Sequence, residues 1–341
     1  MTGPASRPDA RPPSLDALAE RIAAAAERRA AADLPSADGA TNAFRLVHEA
    51  ADGLEGLIVD RLDHVAVARL RTPAWRTEPV VDALATALVS AGCSAVHVIV
   101  DEPAKHRERA HADLELALNQ RLADRGLAAP VDAFDIRESG WRFEMSVHEG
   151  FSQGLFLDMR PIRRDLAARW TGRRVANLFA YTCGFGVVLA KDNDVVNVDV
   201  ANKYLDQGRR NYALNDLDAP DAAFVRRDAF AFVELGVKQG AQWDAVVLDP
   251  PVFSRGKKRR SRAFSLARDL DGLVGGALDL LAPGGELFVS TNLASMSHPE
   301  FAERVGAEAS RRGRRILQRW SPAADYPVSP DAWHLKTALV G

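Results

Sequence analysis

From Gly154 to the end of the chain, short apolar runs alternate with longer amphipathic stretches, and this alternation restricts the fold more than any other feature. Val175–Ala180, Val195–Val200, Ala223–Val225, Trp243–Asp249, Glu286–Thr291, Arg315–Gln318 and His334–Val340 read as strands. The stretches 184–191, 201–214, 229–238, 264–281 and 299–312 read as helices. Strands separated by helices join by crossovers rather than hairpins, which predicts a parallel sheet with helices on both faces. The last two of the seven strands have only a loop between them, so they should pair antiparallel.

The first half has a different rhythm. Residues 1–13 are rich in Pro, Arg and Ala and should be disordered; with the helix that follows they form an N-terminal region, 1–39. Ser14 is a plausible N-cap for a helix to Ala32, with Leu15, Leu18, Ile22 and Ala26 on one stripe, and Pro35 to Gly39 end it. Short β-like runs at 44–47, 57–59 and 65–70, a helix at 78–90 and a strand at 95–101 form a small α+β unit over 40–130. A charged helix is expected at 104–125. A β-rich connector, 131–153, turns at Ser139-Gly140 and leads into the second domain at 154–341.

Composition narrows the class. Of 341 residues, 47% are hydrophobic and 26% charged, as in a globular protein. No apolar run reaches the ~20 residues of a membrane span, and Arg7 and Arg11 precede no apolar stretch, so neither a span nor a signal peptide is expected. The two cysteines, Cys93 and Cys183, are far apart and lack metal-ligand spacing, and His148, His298 and His334 are isolated. No disulfide scaffold or metal site is expected, and a reducing cytoplasm fits. The net charge of −2 conceals an asymmetry: residues 151–341 carry +5 and the first 150 carry −7, which hints at a polyanionic partner for the second half.

Chemistry-bearing residues gather after successive predicted strands, where open α/β sheets bind ligands. Asn177-Leu-Phe-Ala-Tyr-Thr-Cys-Gly-Phe-Gly186 runs from the first strand into a helix, and Gly184 and Gly186 would admit close backbone approach to a ligand, although glycines also serve ordinary turns. Asp199 ends the second strand, where a carboxylate can accept both hydroxyls of a ribose. Asp228 follows the third and could accept an adenine amino group. Both acids could equally be helix caps. After the fourth strand, Asp249-Pro250-Pro251-Val252-Phe253 makes a rigid turn that groups a carboxylate, the Pro250 carbonyl and an aromatic ring, the requirements for holding a flat nucleobase. A plain strand-ending turn is the alternative.

Together these pieces resemble a class I S-adenosylmethionine (SAM) dependent methyltransferase, with a Rossmann-like seven-stranded domain behind a smaller N-terminal α+β accessory domain. Ser152-Gln-Gly-Leu-Phe-Leu-Asp-Met-Arg-Pro-Ile-Arg163 is similar to the lead-in of bacterial large-subunit rRNA methyltransferases. Asn177-Leu-Phe-Ala-Tyr-Thr182 and the Asp249-Pro-Pro box match that family too. The helix from Ala201 to Asn211 resembles its guanine-N7 branch; Phe44–Val47 with Asp52–Arg61 resembles the accessory domain of its cytosine-C5 branch. The resemblance spans about 40–341 and implies that SAM lies against Phe156, Asp158, Arg160, Asn177, Phe179, Tyr181, Thr182, Gly184, Gly186, Asp199, Asp228 and Asp249. Arg160 could pair with the SAM carboxylate, or with Asp158 as a structural pair. Cys183 departs from the family's usual glycine, Met159 from its glutamine, and Ser290-Thr-Asn292 from the Ser-Cys-Ser and Ser-Asn-Asn boxes.

The implied activity is methyl transfer to a base in RNA, ribosomal RNA in particular. Asp249, Pro250, Phe253 and Asn292 are the candidate catalytic residues. The run Arg255-Gly-Lys257-Lys258-Arg259-Arg260 directly follows the Asp-Pro-Pro box and could grip flanking phosphates. A second basic group, Arg311 to Arg315, reads as a solvated helix end. Methylation of cytosine C5 needs a thiolate that adds to C6, and no cysteine follows Cys183, which favours attack by a nitrogen, guanine N7 above all. The competing readings are a non-catalytic SAM- or RNA-binding relative and a methyltransferase acting on a small molecule or protein.

Overall fold

The computed structural model describes residues 10–101, 109–148, 152–254, 264–329 and 332–341. The chain divides into two compact units, one running up to Asp158 with Pro322–Ser329 added, the other comprising Met159–Ser321 and the C-terminal strand.

In the first unit, α1 (Leu15–Ala31) starts where Ser14 Oγ accepts the Ala17 N–H at 3.3 Å. The strands β1 (Ala43–His48), β2 (Leu57–Leu62) and β3 (Val65–Leu70) follow, then α2 (Glu78–Ser90), β4 (Ala95–Val100) and α3 (Arg109–Asp124). The hairpin of β5 (Phe134–Glu138) and β6 (Trp141–Met145) turns through Ser139 and Gly140, both left-handed, as a two-residue turn requires. The four-stranded sheet runs β1-β2-β3-β4, antiparallel except for β3–β4, where α2 makes the crossover. Side chains alternate across it. Phe44, Leu46, Leu57, Val59, Ala66, Ala68, Leu70, Val96 and Val98 face a core completed by Leu18, Ile22 and Ala25 of α1 and by α2 and α3. The helix that the sequence groups with the N-terminal tail is therefore a layer of this core, and Thr72 Oγ1 donates to the Ala10 carbonyl at 2.8 Å, so order begins by residue 10.

The opposite face carries buried charge. Arg45 and Asp60 are cross-strand partners joined at 2.5 Å. Tyr326, from Pro322–Ser329, lies under the Arg45 guanidinium at 4.7 Å, and Asp325 accepts the Arg45 N–H at 3.0 Å. On the core side, Arg29 at the end of the buried stripe of α1 holds Asp52 through two hydrogen bonds of 2.9 and 2.7 Å.

The second unit is the doubly wound domain. Its elements are α4 (Arg160–Arg169), β7 (Arg174–Leu178), α5 (Gly184–Ala190), β8 (Asp194–Asp199), α6 (Asn202–Leu214), β9 (Phe224–Arg226), α7 (Ala229–Lys238) and β10 (Trp243–Leu248), then β11 (Phe253–Ser254), β12 (Phe264–Ser265), α8 (Leu266–Asp279), β13 (Leu281–Thr291), α9 (His298–Ser310), β14 (Ile316–Gln318) and β15 (Lys336–Val340). The seven-stranded sheet has the order β14-β15-β13-β10-β7-β8-β9. The pairs β13–β10, β10–β7, β7–β8 and β8–β9 are parallel, and β15 is antiparallel to both neighbours. The antiparallel last pair is as the sequence predicts.

Three elements differ from expectation. The helix α4 was not anticipated because Arg160-Pro-Ile-Arg-Arg-Asp-Leu shows few apolar positions, yet Ile162 and Leu166 are fully buried on its inner face. The helix expected over 264–281 begins at Leu266, since Phe264 and Ser265 pair with β11. β13 starts five residues early, at Leu281.

The sheet interior is not wholly apolar. Asn177 Nδ2 on β7 donates to Asn197 Oδ1 on β8 at 2.9 Å, and Asn197 Nδ2 donates to the Tyr212 hydroxyl of α6 at 2.9 Å. A Cβ on Gly186 would sit 2.1 Å from Asn197 Oδ1, and one on Gly208 would sit 2.3 Å from Cys183 Sγ. These glycines let α5 and α6 seat closely. Gly208→Ala should therefore overpack a fully buried thiol and cost about 1–3 kcal/mol. Cys183→Ala in the same chain should recover part of the loss, read as urea midpoints in a double-mutant cycle. An unchanged midpoint in Gly208→Ala would remove this contact from the packing.

Candidate functional site

Sheet order fixes where a ligand can bind. β8 continues from β7 on one side and β10 lies on the other, so the loops leaving β7 and β10 part and open a crevice at their carboxyl ends.

The loop after β7 is held in an unusual backbone. Phe179, Tyr181 and Cys183 have φ values of 58, 50 and 63°, in the left-handed region that non-glycine residues seldom occupy. Cys183 thus takes a backbone conformation natural to glycine. Hydrogen bonds hold the loop: Ala180 N–H donates to the Val198 carbonyl at 3.0 Å, Cys183 N–H to the Ala180 carbonyl at 2.8 Å, and Asn211 Nδ2 to the Thr182 carbonyl at 2.9 Å.

Asp199 joins this loop to the next one. Its Oδ2 accepts the Tyr181 N–H at 3.0 Å and its Oδ1 the Ala201 N–H at 2.9 Å. Each oxygen keeps a second lone pair, matching the vicinal hydroxyls of a ribose. Burial pushes its carboxyl pKa up, and the backbone donors only partly offset that. Tyr181 meets Tyr204 edge to face at 4.5 Å beside it. Asp228 caps α7, its Oδ1 accepting the N–H groups of Phe230 and Ala231 at 3.0 and 3.3 Å, so the cap reading of this acid is realised. An acid after β8 and another after β9 could accept from the hydroxyls and amino group of a nucleoside, and the chemistry of this end of the sheet fits SAM.

Across the crevice, Ser290 Oγ donates to Asp249 Oδ1 at 2.5 Å. Pro250 is buried, while Phe253 is 57% exposed. Phe179 packs toward Phe264 with ring centroids 6.0 Å apart, and Phe230 meets the same ring at 5.5 Å. Half-buried Asn292, just past β13, has an amide without a partner among the described residues.

The expected site residues therefore separate into groups. Tyr181, Thr182, Asp199, Asp228, Asp249, Pro250 and Asn292 lie at the carboxyl ends of the strands or in the loops just beyond them, Gly184 opens α5 and Phe253 opens β11. Asn177 and Gly186 lie within the sheet–helix packing described above, with Asn197 as their neighbour, and Phe179 faces the aromatic cluster. Phe156 and buried Asp158 end the first unit and buried Arg160 begins α4. Arg255, Lys257, Lys258, Arg259 and Arg260 lie outside the described residues. Three arginines of the second basic group have partners within the chain: Arg312 pairs with Asp279 at 2.6 Å and Glu308 at 2.8 Å, Arg311 pairs with Glu308, and Arg314 donates to the Ala282 carbonyl at 3.1 Å, while Arg311 and Arg315 stay exposed at the helix end. Both thiols are buried, with pKa raised by burial. Among the described residues no group of acids, histidines and cysteines could hold a metal, and no helix is long and apolar enough to cross a membrane. The sequence names Ser290 only as the start of the box after the fifth strand, without a role, and does not single out Lys336; a lysine opening an apolar strand was the available signal for the latter.

Fold and site together define a Rossmann-like methyltransferase. The chain belongs to the S-adenosylmethionine-dependent methyltransferase family, whose model matches residues 53–340; it is a SAM-dependent enzyme. It is 36% identical over 328 residues to a ribosomal RNA large subunit methyltransferase of Deinococcus radiodurans, covering 94% of this chain and 78% of that one. It is 30% identical to ribosomal RNA large subunit methyltransferase I of Aeromonas salmonicida over 87% of this chain and 74% of that protein. The crystal structure of the methyltransferase SMU.776 complexed with S-adenosylhomocysteine shares the fold with a TM-score of 0.80 at 19% identity, covering 96% of this chain and 81% of that one.

Loss of the charged acceptor in Asp199→Ala should weaken SAM binding by about 1.5–3 kcal/mol with the fold retained. Because its pKa is raised, SAM affinity should fall on acidification at a pH above the ordinary aspartate value of about 3.9. That dependence should be absent in Asp199→Asn. Calorimetric titration across pH checks both, and wild-type affinity in the alanine variant would take Asp199 out of the site.

Proposed function

We propose that this enzyme methylates a base of large-subunit ribosomal RNA, at a ring nitrogen, with guanine N7 as the target. The observation that carries the choice of atom is the state of the thiols. Cytosine C5 becomes nucleophilic only after a thiolate adds to C6. Cys183 is fully buried against Gly208 and its pKa is raised well above the usual value; Cys93 sits in the core of the accessory unit. Neither supplies an accessible thiolate.

The relatives' names support RNA as substrate, as does the basic run beside the Asp-Pro-Pro box. Bound SAM supplies an electrophilic methyl group. In this reading Asp199 holds the ribose and Asp228 the adenine edge. Phe253, exposed at the mouth, stacks on the acceptor base, while Asp249, the Pro250 carbonyl and the Asn292 amide hold its edge in line with the methyl. Guanine N7 carries a lone pair and no proton, so no general base is needed. Arg255, Lys257, Lys258, Arg259 and Arg260 grip the flanking phosphates.

Labelled SAM with deproteinised large-subunit rRNA should yield 7-methylguanosine on nucleoside mass analysis, equally in Cys183→Ser. Formation of 5-methylcytidine that vanishes in Cys183→Ser would overturn the choice of atom and make Cys183 the nucleophile. Neutralising Lys257, Lys258, Arg259 and Arg260 together should weaken RNA binding and flatten its salt dependence, with SAM affinity unchanged. An unaltered salt series would return that segment to a solvated loop.

A further inference from the structure

We propose that Ser290 and Lys336 are positioning residues of the methyl-transfer site: Ser290 sets the Asp249 carboxylate, and Lys336 fixes the turn that presents Asn292. The inference rests on the reading of Asp249 and Asn292 as the groups that hold the acceptor base.

β10 and β13 are parallel neighbours in register at Leu248 and Val289, so Asp249 and Ser290 emerge side by side one residue later. The Ser290 hydroxyl is fully buried and donates to Asp249 Oδ1 at 2.5 Å, which directs that carboxylate from behind. The next residue, Thr291, accepts the Leu293 N–H on its Oγ1 at 3.0 Å and pairs across the sheet with Lys336 of β15. Lys336 Nζ reaches back over the strand end and donates to the carbonyls of Leu293 and His334 at 2.8 and 2.9 Å. The Leu293 carbonyl also accepts the Met296 N–H at 3.2 Å. Asn292 is thereby framed on both sides, with its own amide left open.

Lys336 is only 4% exposed, and among the described residues it has no carboxylate partner. A buried cation without a counter-charge is a poor device for stability, since an apolar chain of similar length usually serves as well or better. Burial accordingly lowers its pKa. For a base whose pKa falls on folding, the unfolded chain holds more protons between the folded and unfolded values, so stability rises with pH across that window. Such a group belongs where its donors shape a site, and the turn it shapes lies beside Asp249.

The test uses the full chain. Ser290→Ala and Lys336→Met should each lower kcat for methyl transfer to deproteinised rRNA by about tenfold to a hundredfold, as small misplacements do. SAM affinity and melting temperature should stay close to wild type. Ser290→Thr, which keeps the hydroxyl, should recover most of the rate. On raising the pH through the depressed lysine pKa, wild type should gain melting temperature relative to Lys336→Met. Independently of RNA, Lys336→Met should raise amide hydrogen exchange at residues 291–296 and leave the central strands unchanged. Wild-type kcat in both variants, or rate losses that merely track melting temperature and SAM affinity, would overturn the proposal. So would unchanged exchange at the turn. A wild-type chain inactive on rRNA, with the exchange effect present, would refute the RNA reading and leave the positioning of the turn standing.

Discussion

Two backbone N–H groups on one carboxylate tie together the loops at the carboxyl end of the central strands. Asp199 ties the loop after β7 to the loop after β8, and each of its oxygens accepts one amide while keeping room for a ligand hydroxyl. The loop it restrains has three non-glycine residues in the left-handed region, a conformation that persists only where surroundings over-determine it. Buried Cys183, the Asn211 bond to the Thr182 carbonyl and the Ala180 bond to β8 are the rest of that restraint. Loop order and backbone strain therefore meet at one side chain, whose desolvation is partly offset by bonds it would lose if the loop relaxed.

Behind this loop the central strands carry a polar chain, Asn177 to Asn197 to the Tyr212 hydroxyl, inside what would otherwise be an apolar parallel sheet. A satisfied buried network restricts alternatives, because any shift of register leaves unpaired amides at a cost of about 1–3 kcal/mol each. Gly186 and Gly208 are small because the helices they belong to must lie against Asn197 and Cys183. Gly186 thus serves the close packing of α5 against β8. In the accessory unit the same logic appears on a larger scale, where Arg45, Asp60, Asp325 and Tyr326 build a charged layer on the face opposite the apolar core.

The other side of the crevice is organised differently. Donors and acceptors come from neighbouring strand ends, β10 for Asp249 and β13 for Ser290 and Asn292, with β15 bracing them through Lys336. Parallel register brings Asp249 and Ser290 together without any local sequence signal, and an antiparallel return strand brings Lys336 back to the same edge. The aromatic rings of Phe179, Phe230 and Phe264 pack together beside them, while Phe253 is exposed.

The sequence by itself determined the doubly wound sheet, its antiparallel last pair, the acids at the strand ends and the family, because period and crossover rules act locally and strand ends are where ligands bind. It could not tell that Asn177 and Gly186 meet Asn197 inside the sheet–helix packing, since a strand-end motif looks the same whether its side chain points outward or at the next strand. It missed α4, whose two buried apolar residues are hidden among arginines, and the β11–β12 pair, whose partners are separated by the basic run. Above all it could not see Ser290 beside Asp249 or Lys336 beside the Asn292 turn. Those pairs are 41 and 43 residues apart along the chain, and only the register of strands that the tertiary structure sets decides which side chains meet.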